Sequence, residues 1–225
     1  MSITGVRPDD PPVAPGTRDF RIRLATESDI PAIVALLADA FQSADPVSEW
    51  IFPNERKRRR GQERMLTALV RHRHLPVGSA EVAVSGDQVV GVSLFQRSWR
   101  KPGMARRMIG DLALLRALRS RVFAAKAVDT ALESAAPACR YICMVHLACD
   151  PAWMRAGVGT ALFMSLFDKS AEVGGAFYGA MKPENFTYYT SILVGMGVVD
   201  ESIGGEVTIG RRGPTMKTLS GQPHY

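Results

Sequence analysis

The sequence predicts a mixed α/β fold, and three observations carry that reading. Short segments of strand character recur between residues 20 and 219. Segments of helical apolar period lie between them, and a glycine-containing loop joins the most apolar strand to a core helix. The chain has 225 residues, 46% of them hydrophobic and 22% charged, which is enough apolar material for one well-buried core.

Residues 1–18 hold Pro8, Pro11, Pro12, Pro15 and Gly16 among polar residues and read as a flexible tail, leaving 19–225 as the domain. From Phe20 to Leu24 apolar and basic residues alternate, which suggests a first strand. Thr26-x-x-Asp29 then precedes a helical pattern over 30–41. Its stripe is Ile30, Ile33, Val34, Leu37 and Phe41, with Pro31 in the first turn. A second helix is expected over about 54–72. Glu81–Val84 and Val89–Phe95, separated by Ser-Gly-Asp-Gln, read as a β-hairpin. Met104 to about Ser134 is a long basic stretch of good helix formers.

Tyr141–Cys149 has buried-strand character, Ala161–Val173 reads as a core helix, and Ala176–Met181 as another strand. Glu184–Leu193 is expected to be helical, and segments around Val198–Asp200, Glu206–Ile209 and Thr215–Leu219 to close the sheet as antiparallel strands.

Charge and cysteine usage bound the function. No apolar run approaches the roughly 20 residues of a membrane span, and no apolar segment behind a basic start marks a secretory signal. Three sparse cysteines fit a reduced, cytoplasmic setting. The net charge of +6 favours anionic partners, and both nucleic acid and a phosphorylated cofactor qualify. The run Arg56–Arg60 reads as a solvated helical face, and no recognition helix or aromatic RNA-binding motif is present, so no nucleic-acid partner is expected.

Cys139, Cys143, His146 and Cys149 have the composition of a zinc set. On one strand, however, its ends lie roughly 33 Å apart at about 3.3 Å per residue, whereas zinc ligands sit within about 2.3 Å of one ion. No metal is expected.

The chemistry is concentrated after Cys149. The loop Met154, Arg155, Ala156, Gly157, Val158, Gly159 and Thr160 places two glycines, one residue apart, at a helix start. Glycines there let the backbone approach a ligand and turn free N–H groups toward it, with the helix dipole behind them. That is an anion site suited to a pyrophosphate, to which Thr160 adds a hydroxyl and Arg155 a charge. It is not a Walker loop, because Thr160-Ala161 follows the second glycine where Lys-[Ser/Thr] is required. The third glycine or alanine of a Rossmann fingerprint is replaced by Leu162.

The stretch L-A-C-D-P-A-W-M-R-A-G-V-G-T-A-L resembles the acetyl-CoA motif [Gln/Arg]-x-x-Gly-x-[Gly/Ala] of the GNAT superfamily of N-acetyltransferases, with Met154 in the place of Gln or Arg. K-P-E-N-F-T-Y-Y, 182–189, is similar to the segment that follows the fifth strand in many bacterial members. The upstream A-T-E-S-D-I-P-A-I, A-F-x-x-x-D-P and W-I-F-P-N-E-x-x-R resemble their first helices. The resemblance spans about residues 20–219, with 100–138 its least typical part, a helical insertion.

The resemblance implies a central, mostly antiparallel sheet with splayed middle strands, and direct acyl transfer from acetyl-CoA to a primary amine without metal or covalent intermediate. It further implies that amides around Leu147, Ala148 and Cys149 receive the thioester, that Asn185 contacts the pantetheine arm or the helix edge, and that Tyr189 protonates the leaving sulfur, with Tyr188 as the alternative. His146, Glu49 and Asp45 are candidate bases, beside a water chain. The acceptor is left open, as is whether the basic stretch 104–134 lids the acceptor cleft or forms a homodimer face. An acyl-CoA-binding module without catalysis is the first alternative reading, and a nucleic-acid-binding protein, suggested by the net charge and the run Arg56–Arg60, ranks after it.

Overall fold

The computed structural model describes residues 19–42, 45–195, 205–209 and 213–221. The expected tail over 1–18 and the strand expected around 198–200 lie outside them.

Seven strands form one sheet in the order β1-β2-β3-β4-β5-β7-β6: β1 (Arg21–Leu24), β2 (Ala80–Ser85), β3 (Gln88–Arg97), β4 (Tyr141–Cys149), β5 (Ala176–Met181), β6 (Gly205–Thr208) and β7 (Thr215–Gly221). Every neighbouring pair is antiparallel except β4 and β5, which run parallel. The parallel pair needs a crossover, and α6 (Val158–Ala171) supplies it.

Helices cover both faces. On one side lie α1 (Ile30–Phe41), α2 (Pro46–Ile51), α3 (Glu55–Leu69), α4 (Met104–Leu118) and α5 (Val122–Ser134); on the other lie α6 and α7 (Pro183–Gly195). Ile30, Ile33, Val34 and Leu37 of α1 pack on Val82, Val92, Leu94 and Ala148. Phe163, Leu166 and Phe167 of α6 pack on Phe95, Ile142 and Phe177. The Asp29 carboxylate fixes how α1 leaves β1: it receives both Arg23 guanidinium nitrogens at 2.7 and 2.9 Å and the Thr26 amide at 2.7 Å. This pairing holds Asp29 well below the usual carboxylate range.

Two departures from the sequence reading matter for the site. The basic stretch 104–134 is a hairpin of two helices, broken at Arg119, whose φ of 53° is left-handed. The run 56–60 is not uniformly solvated either. Arg58 is buried, and its Nε donates to the Phe52 carbonyl at 2.9 Å. Arg121 donates to the carbonyls of Ile51 and Trp50 at 2.7 and 2.6 Å. Both guanidiniums therefore cap α2, a helix too short to be stable alone, whose other end is capped by Asp45 accepting from the Ser48 amide at 2.9 Å.

Candidate active site

The site begins with a gap in the sheet. β4 pairs with β5 only from Tyr141↔Ala176 to Met144↔Gly179. The next residue, Val145, is an inserted β-bulge, because β3 pairs Phe95 with Met144 and Leu94 with His146. Past the bulge β4 stays on β3 and parts from β5. The Asp150 N–H donates to the Val90 carbonyl at 2.9 Å. By strand alternation the Ala148 amide also faces β3, while those of Leu147 and Cys149 face the gap. Of the amides of Leu147, Ala148 and Cys149, two therefore face the gap.

The cleft so formed passes through the sheet. Phe41, Asp45 and His146 line it on the α1 side, Leu147, Asn185 and Tyr189 on the α7 side, and Ala180 and Met181 flank it on β5.

The loop after β4 opens onto the α6–α7 side. Asp150 caps the turn Pro151–Trp153 by accepting from the Ala152 amide at 2.8 Å. Arg155 and Gly157 then take left-handed φ values of 63° and 83°. Gly157 is the N-cap of α6, and the Ala161 amide is the first in the helix to find an acceptor, at 2.9 Å. Among the described residues the amides of Arg155, Gly157, Val158, Gly159 and Thr160 have no backbone acceptor, so five donors stand at the positive end of a 14-residue helix.

The helix can lie this close to the sheet because β3 has Gly91 beneath it: a Cβ there would sit 2.5 Å from Val158 Cγ1. At Gly159 the situation is the reverse. A Cβ would meet only Tyr188 Oη at 3.7 Å and Leu147 Cδ2 at 3.9 Å, so no protein atom excludes a side chain. Met154 projects into solvent.

The two tyrosines separate. Tyr188 is exposed and its hydroxyl bonds to Thr160 Oγ1 at 3.0 Å, beside the amide ring. Tyr189 is buried against Phe163, ring centroids 5.1 Å apart, and lines the cleft. Burial and the neighbouring Tyr188 push its hydroxyl up to about 12, so it is protonated at neutral pH.

His146 packs edge-on to Phe41 at 5.4 Å, and its Nδ1 is buried without a hydrogen-bond partner among the described residues. Burial lowers it to about 4, so the ring is neutral. Asp45 lines the cleft but spends an oxygen on the α2 cap. Glu49 is half exposed, pairs with Arg58 at 3.3 Å, and does not line the cleft.

Cys143 is buried and raised to about 12, Cys149 donates to the Asp150 carbonyl at 3.4 Å, and Cys139 is exposed. Among the described residues no group of three or more His, Cys, Asp or Glu converges as a metal site, and no helix is long and apolar enough to cross a membrane.

No protein-family model matches the chain, and no curated protein matches it in sequence. Solved structures do. An acetyltransferase of Corynebacterium glutamicum, described as related to a histone acetyltransferase, superposes with a TM-score of 0.65 at 18% identity, over 92% of this chain and 97% of that one. A GNAT-family acetyltransferase of Streptococcus agalactiae gives 0.51 at 14% identity over 94% and 100%. A variant of agmatine N-acetyltransferase gives 0.51 at 12% over 91% and 100%. The sheet with its bulged, parting middle strands and the helices on its two faces are the GNAT acetyltransferase fold.

Proposed function

We propose that the protein transfers an acetyl or other short acyl group from coenzyme A directly to a primary amine. The observation that carries this reading is the adjacency of five free amides at the start of α6 to a through-sheet cleft holding a buried tyrosine and an orphaned histidine nitrogen. The pyrophosphate takes the amides of 155 and 157–160, with Thr160 and Tyr188 at its flank. The pantetheine arm runs past Asn185 into the cleft, and the thioester carbonyl takes the Leu147 or Cys149 amide.

The amine enters from the α1 side and attacks the carbonyl carbon. The C–N bond forms, the C–S bond breaks, and the sulfur leaves with the Tyr189 proton. A histidine near 4 cannot deprotonate an alkylammonium near 10: six units are about 8 kcal/mol. The acceptor therefore arrives as the free amine, and His146 takes a proton from the attacking nitrogen only after the C–N bond has made it acidic. Glu49, tied to Arg58 outside the cleft, has no step here.

Incubation with acetyl-CoA and a diverse amine library, following free thiol and product mass, tests the activity. Stoichiometric CoA binding without thiol release would favour the binding-module alternative. The donor site has its own test. Gly159→Ala is expected to leave thermal stability unchanged or raise it, since alanine is the better helix former by about 1 kcal/mol and meets no clash. It is expected to weaken acetyl-CoA binding about tenfold or more, because the added methyl occupies ligand space. Unchanged affinity in calorimetry would place the pyrophosphate elsewhere.

A further inference from the structure

The cleft does not end on its α1 side. Val145, which lines it, also lines a second cavity on the α5 side of the sheet, floored by Tyr141, Cys143 and Tyr178 and walled by Arg73, Asp129 and Glu133. Arg73, Gln96, Glu133 and Tyr141 in turn line a third cavity of about 290 Å³ beneath the start of α4. The three share walls in series along β4. From His146 to Tyr141 the strand covers roughly 16 Å.

The third cavity is charged in one sense. Arg73, Arg97, Arg100, Lys101 and Arg107 line it, against a single carboxylate, Glu133. Arg73 pairs with Asp111 on α4, yet its Nε is buried without a partner. Among the described residues Arg97, Arg100, Lys101 and Arg107 make no ion pair. Arg97 is half-buried, and burial together with the like charge of Arg100 lowers its pKa.

The helix start adds to this. The N-cap of α4 is Gly103 without a side-chain cap, its first turn has no acidic residue, and Arg106 and Arg107 occupy that turn. A helix N-terminus already has the equivalent of about half a positive charge, so arginines there oppose the dipole. Local stability does not explain this arrangement; an anion between the helix start and the arginines does.

We infer that this cavity holds an anionic group, a carboxylate or phosphate, carried by the acceptor, whose amine lies in the cleft roughly 16 Å away. The inference rests on the acyl-transfer reading for the role of the cleft. The acceptor is then a bifunctional molecule rather than a simple alkylamine. The N-terminal turn of α4 and the loop before it, together with Arg73 and Arg97, are the parts of the chain that select it, while Glu133 of α5 is the one carboxylate opposing it.

The test uses ω-amino carboxylates and ω-aminoalkyl phosphates of graded length, each paired with the neutral-ended amine of equal length. Binding is measured by calorimetry with and without CoA, on the full chain and on the exposed double variant Arg100→Glu/Lys101→Glu. The full chain is expected to bind the charged members about tenfold or more tightly, with an optimum near a 16 Å span and a preference that shrinks as salt rises. The double variant should lose the preference while binding neutral amines as before, and Arg100→Gln/Lys101→Gln should lose part of it.

Inorganic phosphate should compete with the charged members only. Equal affinity for charged and neutral members, or a preference that survives in the charge-reversed variant, overturns the inference. With CoA bound, so that the amides at the start of α6 are occupied, phosphate that binds without competing also overturns it, since the anion then belongs to a separate ligand. Binding is read without turnover, so a failure to release thiol with any amine counts against acyl transfer alone.

Discussion

Replacing Gly91 by alanine tests the packing that holds the amide ring in place. The new Cβ would lie 2.5 Å from Val158 Cγ1 and 3.0 Å from Leu162 Cδ1, where carbon atoms rest comfortably at about 3.5–4.0 Å. Val158 and Leu162 are the first and second turns of α6, both fully buried on this strand. Relief therefore requires the helix start to lift by about an ångström, or two packed side chains to leave their rotamers.

Overpacking of this kind costs about 1–3 kcal/mol. An alanine in place of glycine would otherwise stabilise a strand by about 0.5–1 kcal/mol, so the net change should be destabilising. At about 2–4 °C per kcal/mol for a domain of this size, Tm should fall by several degrees.

Urea unfolding of Gly91→Ala, Val158→Ala and the double variant provides the assay. Val158→Ala removes the methyl that is struck, so the two changes should couple favourably by at least about 1 kcal/mol. Acetyl-CoA affinity should fall with Gly91→Ala and partly recover in the double variant. An alanine variant as stable as the parent, or strictly additive changes, would refute the claim that Gly91 sets the height of α6.

Two further expectations concern the titrating groups. Tyr189→Phe keeps the ring against Phe163 and should change Tm little, while turnover falls about 10²-fold or more if the phenol protonates the thiolate; undiminished turnover sinks that role. His74 and His146 are both lowered by burial to about 4, from about 6.5 when unfolded. Between these values the unfolded chain binds the extra protons, so stability is fully present above about pH 6.5 and is lost as pH falls toward 4. The expected slope is up to roughly 2–3 kcal/mol per pH unit. His146→Phe should remove about half of it in urea titrations at stepped pH, and a slope unchanged by that substitution would mean His146 is already hydrated in the folded state.

Much of this architecture is legible in the sequence where local pattern and tertiary role agree. β4 and β5 fall where the apolar runs place them, at 141–149 and 176–181, because both strands are buried on two faces. The anion loop is legible because its glycines are required by backbone geometry at Gly157 and tolerated at Gly159. Less legible are features that depend on distant partners. α2 has six residues and exists by virtue of Arg58 and Arg121, 7 and 70 positions beyond its last residue, Ile51. The break at Arg119 has no glycine or proline to announce it.

The assignment of Tyr189 over Tyr188 depends on the phase of α7 against Phe163, which spacing alone does not fix. The cationic cavity draws on residues 73, 97, 100, 101 and 107, from three elements and a loop, and in the sequence its members are only a diffuse excess of arginine.

The extra residue at Val145 acts as a parity switch. Before it, the odd-numbered residues Tyr141 and Cys143 face the α5 side and the even-numbered Ile142 and Met144 face α6. After it, His146 and Ala148 face α1, while Leu147 and Cys149 face the opposite side. Removing Val145 would put Met144 and His146 in ordinary alternation on the faces they already hold, whereas keeping it in a regular strand without the bulge would turn the imidazole toward α6 and the leucine toward α1. The two-sidedness of the site thus depends on the bulge, which absorbs an extra residue so that the faces on either side of it stay as a regular strand would set them.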